Sequence, residues 1–223
     1  MKRCIRFFSI LSLLVTSACS FSNRDAVDAS HMINPEKGLI LTSLTQTFSN
    51  RTESIHAAME VLVQYNDVND PENNWGVIRT DYQQTSPYKG RGDFQNPDGK
   101  LFLIEVPPGT YSITGPSSFL IADISYKPVP DTAHTITVKA GKVTYIGEYR
   151  MDSAVSSSSL FDTDLTNVRA ITKDSRERDI REALKKYPNL KQSDFIYDTP
   201  PSATRNTEGK KAKPPNIQIR RLP

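Results

Sequence analysis

The chain has 223 residues, 37% hydrophobic and 24% charged, enough for one substantial core with appendages. Its formal charge of +3 is unevenly placed: from residue 201 onward six basic side chains face one acidic one, and the rest is mildly acidic. That balance excludes a nucleic-acid footprint, which needs a basic face on folded structure. The two cysteines, Cys4 and Cys19, both lie near the start, so the remainder has no internal disulfide and must be stabilised by its core.

Residues 1–18 are ordered like an export signal. Lys2, Arg3 and Arg6 form a basic start without an acid, Phe7 to Val15 is apolar except for Ser9 and Ser12, and Thr16, Ser17 and Ala18 are small. The apolar run is too short to cross a hydrocarbon core of about 30 Å, so a cleaved signal peptide is expected. Val15-Thr16-Ser17-Ala18-Cys19 resembles the lipobox of bacterial lipoproteins, with Thr16 where that family usually has leucine. The resemblance implies cleavage before Cys19 and lipid on its thiol. Ser20 in place of aspartate implies sorting to the outer membrane of a bacterial envelope. Several acyl chains would hold the protein there, since one alone binds only marginally.

Residues 19–36 are polar without an apolar period and read as a tether. A sandwich domain is expected over 37–150. Strands are predicted at 38–45 and 57–65, where Met59, Val61, Val63 and Tyr65 keep the two-residue period. Residues 66–74 are dense in turn formers, 75–80 read as a short strand, and 81–100 read as loop. Strand-like runs at 100–106 and 110–114 flank Pro107-Pro108-Gly109, and 119–126 reads as another strand. Residues 134–139 and 142–149 read as two strands joined by a tight turn at Ala140-Gly141, with Val143, Tyr145 and Tyr149 on one inner face. At least seven short strands without an intervening helix predict an all-β fold, an antiparallel transthyretin-like or immunoglobulin-like β-sandwich.

Val106-Pro107-Pro108-Gly109-Thr110-Tyr111 and the later Gly141-Lys142-Val143-Thr144-Tyr145-Ile146-Gly147 resemble the "PPG-x-Y" turn and "G-x-V-x-Y-x-G" strand of uncharacterised bacterial lipoproteins. Those carry a transthyretin-like or carboxypeptidase-regulatory-like β-sandwich. The resemblance covers residues 38–150 and concerns fold, not catalysis.

Residues 151–198 are expected to add a final strand and a C-terminal helix. Ser153–Ser159 reads as a flexible joint, and 160–170 as the strand. Asp174 and Glu177 fit a capping box. Ile180, Ala183, Leu184 and Tyr187 share a helical face, and Pro188 ends the helix. A helix this short is marginal alone and is expected to cover the sandwich's own core. Residues 199–223, with six prolines and glycines and a basic excess, read as a disordered tail.

Candidate chemistry is sparse. His31, His56 and His134 have no second ligand at metal spacing, and no serine sits in a nucleophile elbow. Asp67, Asp70 and Glu72 lack the glycine and terminal glutamate of a calcium loop. Arg91-Gly92-Asp93 spells an adhesion tripeptide but more simply reports a turn, and Phe195 and Tyr197 read as a packing clasp. No cofactor, metal or catalytic residue is expected. The expected role is non-enzymatic: an accessory component tethered to the membrane through lipid on Cys19. It would contact an envelope protein, with Lys210, Lys211, Lys213, Arg220 and Arg221 as candidate contacts. The alternative is a module binding envelope carbohydrate or a small ligand at a rim of Trp75, Tyr82, Tyr88 and Phe94, because aromatic loop residues stack on sugar rings.

Overall fold

A computed structural model describes residues 27–48, 59–80, 93–95, 98–120, 125–127, 134–159 and 162–206. The leader, Cys19, His56, Tyr82, Tyr88, Arg91, Gly92 and the tail cations lie outside them. In chain order come β1 (Gly38–Phe48), β2 (Met59–Asp67), β3 (Trp75–Arg79), β4 (Phe94–Gln95), β5 (Asp98–Val106), β6 (Gly109–Leu120) and β7 (Ser125–Lys127). There follow β8 (His134–Val138), β9 (Val143–Ser159), β10 (Asp162–Lys173), α1 (Arg176–Lys186), a 3-10 turn at Gln192–Asp194, β11 (Phe195–Tyr197) and β12 (Ala203–Asn206). One sheet has the order β12-β10-β9-β1-β5-β4, with β11 on the first residues of β9. The other has the order β3-β2-β6-β7, with β8 on the first residues of β6. The fold is thus all-β, two sheets with one C-terminal helix.

Two cores divide the apolar residues. Between the sheets lie Ile40 and Leu44 of β1, Val61, Val63 and Tyr65 of β2, Tyr111 and Ile113 of β6, and Ile146, Tyr149 and Met151 of β9. On the other side of the seven-stranded sheet, Leu39, Leu41, Leu103, Val143 and Tyr145 meet Ile180, Ala183 and Tyr187 of α1. The helix therefore covers the sandwich's own sheet. Residues 39–46 of β1 are buried on both faces, and the polar Thr42, Ser43 and Thr45 among them are each hydrogen-bonded.

Both motifs turn out to be crossings between sheets. Residues 107–108 carry the chain from β5 in one sheet to β6 in the other, and the buried Tyr111 hydroxyl donates to the Pro107 carbonyl at 2.8 Å, closing that corner. Gly141, at φ 66°, makes the expected tight turn, but β8 pairs with β6 while β9 pairs with β1, so the two strands are not a hairpin. The crossing delivers β9 to the end where β1 begins: Leu39 N–H donates to the Lys142 carbonyl at 2.9 Å and Gly141 N–H to that of Lys37 at 2.7 Å. Consequently β9 runs parallel to β1, as β11 does to β9, and the expected antiparallel order holds for the other pairs.

Four further expectations are corrected. Val143 and Tyr145 do not share a face with Tyr149. Leu41 pairs with Tyr145 but Ser43 with Glu148, so β9 carries an extra residue, and Gly147 takes φ 97° there. The bulge reverses which residues point inward. Ser153–Ser159 is not a joint but the second half of β9, because its backbone groups ladder with β10 whatever the side chains are. The run at 119–126 divides between the end of β6 and β7, which pair antiparallel. Part of the segment read as tail forms β12 on β10. With β10, β11 and β12 all in the seven-stranded sheet, residues 151–206 are built into the same structure.

The bulge yields a prediction. Gly147→Ala puts a Cβ where φ is positive and 3.1 Å from the Lys173 carbonyl oxygen. It should lower unfolding free energy by about 1–2 kcal/mol or more in urea denaturation.

Candidate functional site

The helix is held on the sheet by a buried polar cluster as well as by apolar contacts. Because β9 is bulged, Glu148 points to the helix side, beside Ser43 and Thr45 of β1. Thr45 donates to Glu148 Oε1 and Ser175 to Oε2, each at 2.6 Å. Asp179, fully buried on the inner stripe of α1 with Ala183, accepts from the Ser43 hydroxyl at 2.7 Å and the Tyr145 hydroxyl at 2.9 Å. Arg178 joins the two acids, with Nη2 2.7 Å from Asp179 Oδ1 and 3.2 Å from Glu148 Oε2. Its guanidinium lies over the Phe94 ring, 4.2 Å from the centroid.

The two carboxyls are not equivalent. Burial works to raise Glu148, but hydrogen bonds from Ser175 and Thr45 and the Arg178 charge outweigh it and hold this carboxyl below its ordinary range. Burial dominates at Asp179 and pushes it up, against Arg178 and the hydroxyl donors. Burial also opposes the charge on Arg178, but the adjacent Asp179 and Glu148 more than offset this. Glu148 is therefore the firmly ionised partner. Every group in the cluster has a partner, which suits it to fixing α1 rather than to turnover.

The start of α1 differs from the predicted box. Ser175 is the N-cap without a side-chain cap bond, and Asp174 instead accepts from the Arg176 N–H at 3.1 Å and from its guanidinium. At the other end, Lys186 pairs with Asp93 at 2.8 Å and donates to the Leu101 carbonyl at 3.1 Å.

Beside α1, between it and the segment of the 3-10 turn and β11, lies a cleft of about 460 Å³, within the volume range of ligand sites. Its floor includes Ile180 and Leu184, and Arg176, Arg181 and Lys185 are among its lining side chains. Gln192 and Tyr197 close the far wall, where Gln192 donates to the Tyr197 hydroxyl at 3.2 Å. Tyr197, expected to be a clasp, is 44% exposed here, with the Arg176 guanidinium 4.7 Å from its ring centroid, whereas Phe195 is buried under the helix.

The residues singled out in the sequence do not converge. Trp75 is 57% exposed on the five-stranded sheet, while Phe94, on the other sheet, is 7% exposed and packed under Arg178. Phe94 therefore has no free face to offer a ligand. His31 Nε2 stands 3.1 Å from Glu105 Oε2. The Nε2 of His134 is 3.2 Å from the Asp198 carbonyl oxygen and the Tyr149 hydroxyl is 3.5 Å from its Nδ1, which fits a neutral ring. Asp67 accepts from the Asn69 N–H and Asp70 from the Asn73 and Asn74 amides, so both serve the β2–β3 turn. Among the described residues no three His, Cys, Asp or Glu converge as a metal-holding group, and no helix is long and apolar enough to cross a membrane. Ser43, Thr45, Glu148, Arg178 and Asp179 were not anticipated. The one available signal was Asp179 at inner-stripe spacing with Ala183 and Tyr187.

No family model and no curated protein matches the chain. Among solved structures, a leucine-rich repeat protein from Bacteroides thetaiotaomicron is similar at 14% identity and TM-score 0.27, over 52% of this chain and 14% of that one. A proposed cell adhesion protein from Bacteroides fragilis is similar at 11% identity and TM-score 0.22, over 62% of this chain and 46% of that one. The chain spans less than half of either protein's length, and overlays at these scores establish neither a fold relationship nor a function.

Two outcomes are expected. Arg178→Met leaves Glu148 buried without its counter-charge and should cost about 3–5 kcal/mol in denaturant titration. Burial lowers the His134 pKa from its ordinary 6.5, against the Asp198 carbonyl and charge. The folded state then binds fewer protons than the unfolded chain, so stability is complete above 6.5 and declines as pH falls through the folded value. Melting temperature measured against pH should show that decline, and His134→Gln should flatten it.

Proposed function

We propose that this chain is a lipid-anchored protein of the bacterial cell envelope, held at the outer membrane through Cys19, with a non-enzymatic interaction role. Its sandwich is assigned to the transthyretin-like type on the two sequence motifs, which in this fold lie at two of the crossings between the sheets. The observation that carries the reading is the cleft along α1. An apolar floor rimmed by charged and aromatic side chains, on a helix locked at both ends, is suited to a partner segment. A rigid helix binds without losing conformational freedom of its own. The occupant is an envelope protein, and the tail cations Lys210, Lys211, Lys213, Arg220 and Arg221 add contacts to acidic groups on it, each worth about 1 kcal/mol at most.

The test is in-cell crosslinking of the tagged full-length protein beside Cys19→Ala, Leu184→Asp and a form ending after β12. A discrete envelope protein should be captured by the full-length chain and be identified by mass spectrometry. It should crosslink again when both are purified, and should be reduced at least ten-fold by Leu184→Asp. Capture that Leu184→Asp leaves unchanged would remove the cleft from the interaction, and absence of any enriched protein would remove the role itself.

A further inference from the structure

The outer face of the five-stranded sheet has a chemistry unlike that of the cleft. The registers set Trp75, Asn66, Ser112 and Thr135 side by side on β3, β2, β6 and β8. Their strand neighbours Tyr65, Tyr111, Ile113 and Ile136 are buried between the sheets, so alternation turns this row outward. Four strands make three inter-strand spacings, a row roughly 14 Å long. The next row along the strands is Val77, Gln64 and Thr114. Gln64, Thr114 and Thr135 are exposed, Asn66, Ser112 and Val77 half-buried.

Trp75 is the anomaly. Indole is a large, mostly apolar surface, and 57% of this residue faces outward at the end of a row of neutral hydrogen-bonding groups. Neither row carries a charged side chain. An ionic ligand would find no counter-charge on them, and a protein interface would want a broader apolar centre than one indole and one valine.

We infer that this face binds an uncharged oligosaccharide, one pyranose ring stacked on Trp75 and its neighbours hydrogen-bonded along Asn66, Ser112 and Gln64. A pyranose has C–H groups on its faces and hydroxyls around its rim, so it matches a flat aromatic surface flanked by neutral donors and acceptors. The indole supplies the first. Amides and hydroxyls supply the second, because they both donate and accept, as sugar hydroxyls do. The row is long enough for about three rings, since strand spacing and pyranose width are both close to 5 Å. The site lies on the sheet opposite the helix and is independent of the α1 cleft, so either can fail alone.

Trp75 is the chain's one tryptophan, so its emission reports this site directly. The full-length protein, in a detergent without a sugar headgroup, is titrated with short oligomers of N-acetylglucosamine, glucose and mannose. A saturable shift of tryptophan emission with at least one of them is expected. Calorimetry should then show affinity at least ten-fold weaker in Trp75→Ala and several-fold weaker in Asn66→Ala, while Trp75→Phe, which keeps a ring, stays within a few-fold. Circular dichroism confirms that each variant is folded. The inference is overturned by no saturable shift with any of the three, by binding that Trp75→Ala and Asn66→Ala both leave unchanged, or by equal affinity for the charged oligogalacturonate.

Discussion

The single guanidinium of Arg178, shared between Glu148 and Asp179 beneath α1, is the constraint on which the arrangement of the C-terminal third depends. Two carboxyls removed from water are costly unless their oxygens are satisfied. Here Thr45, Ser175, Ser43 and Tyr145 supply hydroxyl donors from two strands and the helix start. The helix cannot lift off without stranding these groups, so its docking is specified by polar geometry as well as by Ile180, Ala183 and Tyr187. A short helix that is marginal alone becomes a fixed wall.

That cluster in turn depends on one extra residue in β9. Without the bulge at Gly147, strand alternation would send Glu148 into the inter-sheet core and Tyr149 towards the helix. The Thr42 hydroxyl donates to the Gly147 carbonyl at 2.8 Å and pins the irregularity from the neighbouring strand. A local backbone exception thus lets one strand serve two cores, with Val143 and Tyr145 on one side and Tyr149 and Met151 on the other.

The consequence for function is that the two sheets are not equivalent. The seven-stranded sheet is covered by α1, and the surface beside it is a cleft with apolar and charged walls. The five-stranded sheet carries a row of neutral polar groups ending in Trp75. If the proposed anchoring and both proposed surfaces hold, the protein would keep a bound protein segment near a bound neutral glycan. The lipid address supplies the location in this reading, and the sandwich supplies the spacing between the two surfaces.

How much of this was legible in the sequence follows from the range of the forces involved. Alternation in Met59–Tyr65, the turn chemistry of residues 107–109 and 140–141, and the stripe of Ile180, Ala183 and Tyr187 are set within a few residues, so strand positions and the helix could be read directly. Ser153–Ser159 was misread because composition reports side chains, whereas a strand is held by backbone groups whose partners, in β10, become visible only after folding. The hairpin expected over 134–149 failed for a related reason: a tight turn fixes chain direction but not which sheet accepts the next strand. Glu148 and Arg178 look like ordinary surface charges in the sequence, thirty residues apart, and only the bulge and the docked helix bring them together. The sequence alone determined the all-β class, the turns at 107–109 and 140–141, and the helix. Tertiary structure decided the parallel pairing, the two cores, the buried charges and the outward row headed by Trp75, because each depends on contacts between segments distant along the chain.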